Sequence, residues 1–259
     1  MQILKTLTQT VALCALGASL LPAQSPGKQI FSLPAVITEP GIYQLRLDSY
    51  VWSGSGPAIR VQTGGVTVDL GGGQILGPGN NTGMGIEVAG ATGVTIKNGN
   101  LANFGLALRI ADSSNVTVQD LNIRARDLLV SSGPPEIGIM IVQSVGVVVR
   151  NNSINSVGLG IFVRGGMSRG NMIVGNAVVA GANGVIGICY NPTETDPNGP
   201  RYDAIETNLI SGFRTGIQFS AASKENSVRR NNIFHKGLTA IELNGTGSID
   251  TDNVKIQIK

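Results

Sequence analysis

The sequence predicts an all-β solenoid, one chain wound into about eight coils of three short parallel strands. The first observation is a pattern of Gly or Ala, aliphatic, any residue, aliphatic. It returns as AIRV (58–61), GIEV (85–88), GLAL (105–108), GIMI (138–141), GLGIFV (158–163), GVIGI (184–188), GIQF (216–219) and AIEL (240–243). The second is that copies feed a further short apolar segment, such as VTVDL, VTIKN, VTVQD, VVVRN or MIVGN, and then a lone aliphatic residue: Leu101, Ile123, Ile154, Val178, Ile210 or Ile233. The third is spacing. These last residues lie 22, 31, 24, 32 and 23 positions apart, which is a base period in the low twenties with two insertions. Self-similarity at that period, in Val, Ile and Gly without a 3.6-residue rhythm, describes stacked coils.

Residues 1–23 have the layout of a secretory signal peptide. Lys5 precedes an apolar run from Val11 to Leu21, and small residues lead to an expected cleavage after Ala23. The run is shorter than the ~20 apolar residues that span a bilayer. Leu13, just before Cys14, does not fit a lipid-anchor signal. Residues 24–57 read as an N-terminal cap segment and 58–259 as the coil stack, forming one domain after export to the periplasm or the exterior, with no transmembrane segment left.

Removing residues 1–23 takes away Lys5 and Cys14. The formal charge falls from +3 to +2, and Cys189 is left as the only cysteine. No cationic block suggests nucleic acid or a lipid surface, and a lone cysteine excludes an internal disulfide and a Cys-rich zinc site.

Within each coil, alternation turns one row of aliphatics inward, where rows of adjacent coils stack at ~4.8 Å into a continuous core. Asn152, Asn176, Asn208 and Asn231 each fall two residues before an inward aliphatic, with Gly99 at the same place in an earlier coil. Asn tolerates left-handed backbone and bonds to neighbouring main chain, so this column reads as a turn device. Leu121 stands at the equivalent place and predicts a coil that turns differently. The final strand, VKIQIK (254–259), carries Lys255 and Lys259, which guard against edge pairing and favour a monomer.

These coils resemble the right-handed parallel β-helix family, the pectin-lyase-like superfamily, over residues 36–254, and the opening EPGIYQL…AIRV…GVTVDLGGGQILGPG is similar to the first coils of exported members. The resemblance implies a single-stranded right-handed parallel β-helix and leaves the reaction open, since members include lyases, polygalacturonases, epimerases, tailspikes and adhesins. The segments that mark the catalytic branches are missing. There is no Asn-Thr-Asp or Gly-His-Gly, and Asp196-Pro197 is followed by Asn198 where epimerase-like members carry His. The Asp cluster of calcium-dependent pectate lyases is also missing, so neither a calcium site nor any other metal or cofactor is expected. His235, the only histidine, reads as an exposed turn residue.

Two insertions interrupt the period, at 124–136 with Arg124, Arg126, Asp127 and Glu136, and at 190–203. Irregular excursions on a solenoid are where binding faces are built. The second insertion leaves after a first strand. Arg164 and Arg169 of the preceding coil and Lys224 and Glu225 of the following coil are expected to lie one coil from its Glu194, Asp196, Arg201 and Asp203. Arg201, Lys224 and Asp203 are the candidates for chemistry, because a base beside cations that neutralise a uronate is what β-elimination needs. Arg164, Arg169, Glu194 and Asp196, with Tyr190 and Tyr202 stacking on a sugar ring, are the candidates for binding. The expected function is a non-catalytic surface for an extracellular or envelope polysaccharide. The alternatives are a uronate-specific polysaccharide lyase and a spike-like structural module.

Overall fold

The computed structural model describes residues 27–79, 82–125, 135–193 and 197–259. It is a right-handed parallel β-helix of nine coils, whose three strands each pair with their counterparts in the coils before and after. The first-strand sheet runs from Ala35–Ile37 through Pro57–Val61, Met84–Ala89, Leu106–Ala111, Ile137–Val142, Leu159–Arg164 and Ile186–Asn191 into Leu209–Phe219 and Asn232–Leu243. The residues expected as a cap segment join the stack. Ala35–Ile37, Gly41–Leu45 and Ser49–Val51 complete a coil in register with the next. No described helix is long and apolar enough to cross a membrane.

Three inward columns run through the core beside a fourth, made of Val61, Val88, Ile110, Ile141, Val163, Tyr190 and Phe219. Ile59, Ile86, Leu108, Ile139, Ile161, Ile188 and Ile217 stack along the first sheet. Val68, Ile96, Val118, Val149, Ile173, Ile205 and Val228 stack along the second. Ile75, Leu101, Ile123, Ile154, Val178, Ile210 and Ile233 form the third. All are buried, each contributing about 1.5–3 kcal/mol by leaving water. The register corrects two repeats, since Ala107 to Ile110, and not GLAL (105–108), and Gly187 to Tyr190, and not GVIGI (184–188), are the copies that align with GIEV. The local alternation Leu106, Leu108, Ile110 admits a two-residue slip, and only pairing with the neighbouring coil resolves it.

The glycine of the repeat has a steric cause. A Cβ at Gly138 would lie 2.6 Å from the Gly160 carbonyl oxygen of the next coil, and one at Gly160 would lie 2.3 Å from that of Gly187. The last two described strands change residue type. Asp250 and Lys255 occupy the inward columns below Val228 and Ile233 and form an ion pair, so the apolar column closes on charge. Inward charge on a terminal strand opposes further strand addition.

The asparagine column sits at the bend between second and third strands, and every member is buried. Asn176 shows the pattern. Its Nδ2 donates to Val149 O at 2.9 Å and to Asn208 Oδ1 at 3.0 Å, while its Oδ1 accepts from the main chain and side chain of Asn152, both at 3.0 Å. The ladder runs on through Asn231 to Asn253. The left-handed residue is the one before each asparagine: Asn151, Gly175, Thr207, Arg230 and Asp252 have φ of 54–65°. Asp120 (φ 54°) precedes Leu121 in the same way, so that coil turns like the others. Leu121 N donates to Asn152 Oδ1 and its side chain is buried, while at Gly99 in the coil before it Leu70 takes the space, 2.2 Å from where a Cβ would fall.

Candidate functional site

The bend between first and second strands carries the exposed chemistry. There Arg169, Arg201 and Lys224 are bridged in parallel on three successive coils, between Val145 above and Thr246 below. Coil spacing therefore stacks three cations at ~4.8 Å intervals. None takes part in an ion pair among the described residues. Beside them Tyr202 is 57% exposed. It holds φ 59° at a place where other coils have Gly65, Gly93, Gly146 and Gly170, and Glu225 holds φ 53° one coil on. A bulky side chain in left-handed backbone costs of order 1 kcal/mol.

Two of the expected site residues face the other way. Tyr190 lies in the inward column between Val163 and Phe219, is fully buried and packs its ring 4.6 Å from that of Phe219. It cannot stack on a sugar, because strand alternation after Cys189 turns it into the core. Asp203 is 1% exposed and occupies an asparagine place in a second ladder. Its Oδ1 accepts from Asn171 N at 2.8 Å and its Oδ2 from Asn171 Nδ2 at 3.1 Å, while its own N donates to Asn226 Oδ1 at 3.0 Å. Burial raises its carboxyl to about 7, against the opposing pull of the Asn171 and Tyr190 donors. The Tyr190 hydroxyl is pushed well above its ordinary range by burial and by Asp203, which it faces without closing a well-formed hydrogen bond. Asp203 is thus sealed from any polymer and cannot serve as a surface base.

The rest of the expected set disperses. Arg164 folds over the first-strand face, its guanidinium 5.3 Å from the Phe162 ring. Glu194 and Asp196, like Arg126 and Asp127, lie outside the described residues. Glu136 is buried, and Arg124 is exposed on a third strand. His235, expected on the surface, is buried at a coil corner with Nδ1 2.8 Å from Gly237 O. Burial pushes the Cys189 thiol up to about 12, too high for a nucleophile at neutral pH. No group of three or more His, Cys, Asp or Glu that could hold a metal exists among the described residues.

The outward row of the first-strand sheet was not read from the sequence. It runs Val36, Arg60, Glu87, Arg109, Met140, Phe162, Cys189, Gln218 and Glu242. Arg60 Nε lies 2.8 Å from Glu87 Oε2, and Arg109 Nη1 lies 2.7 Å from Glu87 Oε1. The signal was the variable third letter of each repeat, legible only once the repeats are placed one above another.

Among solved structures, the chain is similar to the Dettilon tailspike protein at 16% identity and a TM-score of 0.58, over 88% of this chain and 54% of that one. It is similar to an alginate lyase from Paenibacillus sp. str. FPU-7 at 12% and 0.56, over 84% and 92%. It is also similar to a hyperthermoactive exopolygalacturonase from Thermotoga maritima at 8% and 0.54, over 80% and 67%. The chain thus spans about half the length of the tailspike, and at these identities the likeness is one of fold. No curated protein matches it in sequence. Residues 48–196, more than half of the chain, match the family described as the right handed beta helix region, and with the nine coils seen here the chain belongs to the right-handed β-helix family.

Proposed function

We propose that this protein is exported and binds an acidic polysaccharide without cleaving it, the polymer lying along the coil axis over Arg169, Arg201 and Lys224. The observation that carries this reading is the ladder itself, three cations repeating with the coil and free of ion pairs among the described residues. Stacked like charges repel one another, an arrangement that a polyanion relieves. Tyr202 supports it, since a tyrosine in left-handed backbone gives up stability that the glycine of other coils keeps, and it places an aromatic ring beside Arg201. Two structural neighbours are named for uronate polymers, an alginate lyase and an exopolygalacturonase, which favours uronates as the anion. Catalysis has lost the one carboxylate offered for it, because Asp203 is buried.

Binding of alginate, polygalacturonate and heparin to immobilised protein tests the reading. Arg201→Ala with Lys224→Ala lowers affinity at least tenfold with the melting temperature unchanged, and added salt weakens the parent protein more than the variant. Undiminished binding by the double variant removes the site. A rise in absorbance at 235 nm on any of these polymers replaces binding with a lyase. Export is checked by the N-terminal residue of the secreted product, expected to be Gln24.

A further inference from the structure

Far from the cation ladder, the first coils form an open pocket of about 340 Å³ between Pro34, Val36, Trp52, Pro57 and Arg60. Its wall is the only tryptophan of the chain. Trp52 is held before any ligand arrives. Its main-chain N donates to Leu76 O at 2.7 Å, its Nε1 donates to Gly56 O at 3.0 Å, and Gly54 lies so close that a Cβ there would fall 2.2 Å from the ring. With the indole N–H used internally, the ring offers the pocket only its apolar surface. The opposite side is charged. Glu87 is shared between Arg60 and Arg109, so the three side chains carry one net positive charge, and Arg60 meets Glu87 through its Nε without a well-formed hydrogen bond there. The outward neighbours that continue the row past this triad, Val36 and Met140, add no charge.

We propose that this pocket binds a single uronate residue, its pyranose ring laid against Trp52 and its carboxylate taken by the free edge of the Arg60 guanidinium. An apolar wall fits the C–H face of a sugar ring, a forked cation fits a carboxylate, and the volume lies at the small end of ligand sites. The site uses no residue of the cation ladder and takes from the preceding reading only the class of polymer, so either can stand without the other.

Trp52 is its own reporter. Titration of the purified protein with trimers of galacturonate, mannuronate and glucuronate, each read by tryptophan emission, is expected to give a saturable change with at least one, and none with the neutral trimer maltotriose. Arg60→Gln weakens that response at least tenfold. Glu87 keeps Arg109 in this variant, and an unchanged melting temperature shows that the coil is intact. Val36→Glu, at an exposed wall position that tolerates charge, weakens it equally by repelling the carboxylate. Arg201→Ala with Lys224→Ala leaves it unaltered. Flat emission with all three uronate trimers overturns the proposal. So does an equal response to maltotriose, or a response that survives both Arg60→Gln and Val36→Glu. Flat emission while the ladder variant still loses polymer binding overturns this proposal alone, and a saturable emission response with undiminished polymer binding by the ladder variant overturns the preceding reading alone.

Discussion

Between the second and third strands, Asn152, Asn176, Asn208 and Asn231 form an unbroken buried ladder that runs on to the half-buried Asn253, whereas the ladder between the first and second strands places Asp203 between Asn171 and Asn226. In the first, each of the four buried amides accepts from the coil before it and donates to the coil after it. In the second, Asp203 accepts as an asparagine does, but a carboxylate has nothing to donate to Asn226. The same geometry is therefore indifferent to pH at one bend and titratable at the other. A ladder of amides tolerates burial because each donor finds an acceptor, while one acid in the same place must hold a proton or bear a buried charge.

The largest expected effect comes from breaking the intact ladder. Asn176→Leu strips donors and acceptors from Asn152, Asn208 and the Val149 carbonyl, and is expected to cost about 3–5 kcal/mol in urea denaturation. Next is repair of the imperfect ladder. The carboxyl of Asp203 is raised from 3.8 to about 7, so the folded state binds the proton more tightly than the unfolded one. Its stabilising contribution is full below pH 4 and is lost as pH rises from about 4 to about 7. Asp203→Asn is then expected to leave stability unchanged at pH 4 and to raise it by on the order of 2–4 kcal/mol at pH 8. Equal stabilisation at both pH values would show that proton uptake is not the cause.

Smaller effects sharpen the contrast at the same bend. Tyr202→Gly relieves left-handed strain and is expected to stabilise the fold by about 1 kcal/mol while weakening polyuronate binding, a divergence that a purely structural tyrosine would not show. Tyr190→Phe keeps the ring against Phe219 and removes a hydroxyl without a well-formed hydrogen bond, so its thermal midpoint is expected to shift by less than about 1 kcal/mol equivalent.

The cations at this bend and the asparagines at the other also differ in how far they could be read in advance. The asparagine column was legible because it recurs at one place in the period and because main chain at a bend needs partners that Asn supplies. Its details were not. The left-handed residue falls one position earlier, and Leu121 bends with the rest, since both facts depend on the coil beneath. Stacking of Arg169, Arg201 and Lys224 also followed from the period. The inward turn of Tyr190 and Asp203 did not, because both sit at the edges of an insertion, and only the pairing with neighbouring coils shows that the strand still runs through Tyr190 and that Asp203 takes an asparagine place.

The sequence by itself determined the architecture. A low-twenties period with alternating aliphatics and a recurrent glycine leaves few ways to bury apolar rows except coil on coil, and the contact each coil makes is local in the repeat. Tertiary structure decided what the repeat leaves unspecified. It turned the variable third letters into the Arg60, Glu87 and Arg109 triad, set Asp250 and Lys255 in register with the core columns, buried Asp203, and placed Trp52 and Arg60 on the walls of one pocket. Each of these depends on which residue of one coil meets which residue of the next, and that register is fixed by packing across the whole stack, which no single coil encodes.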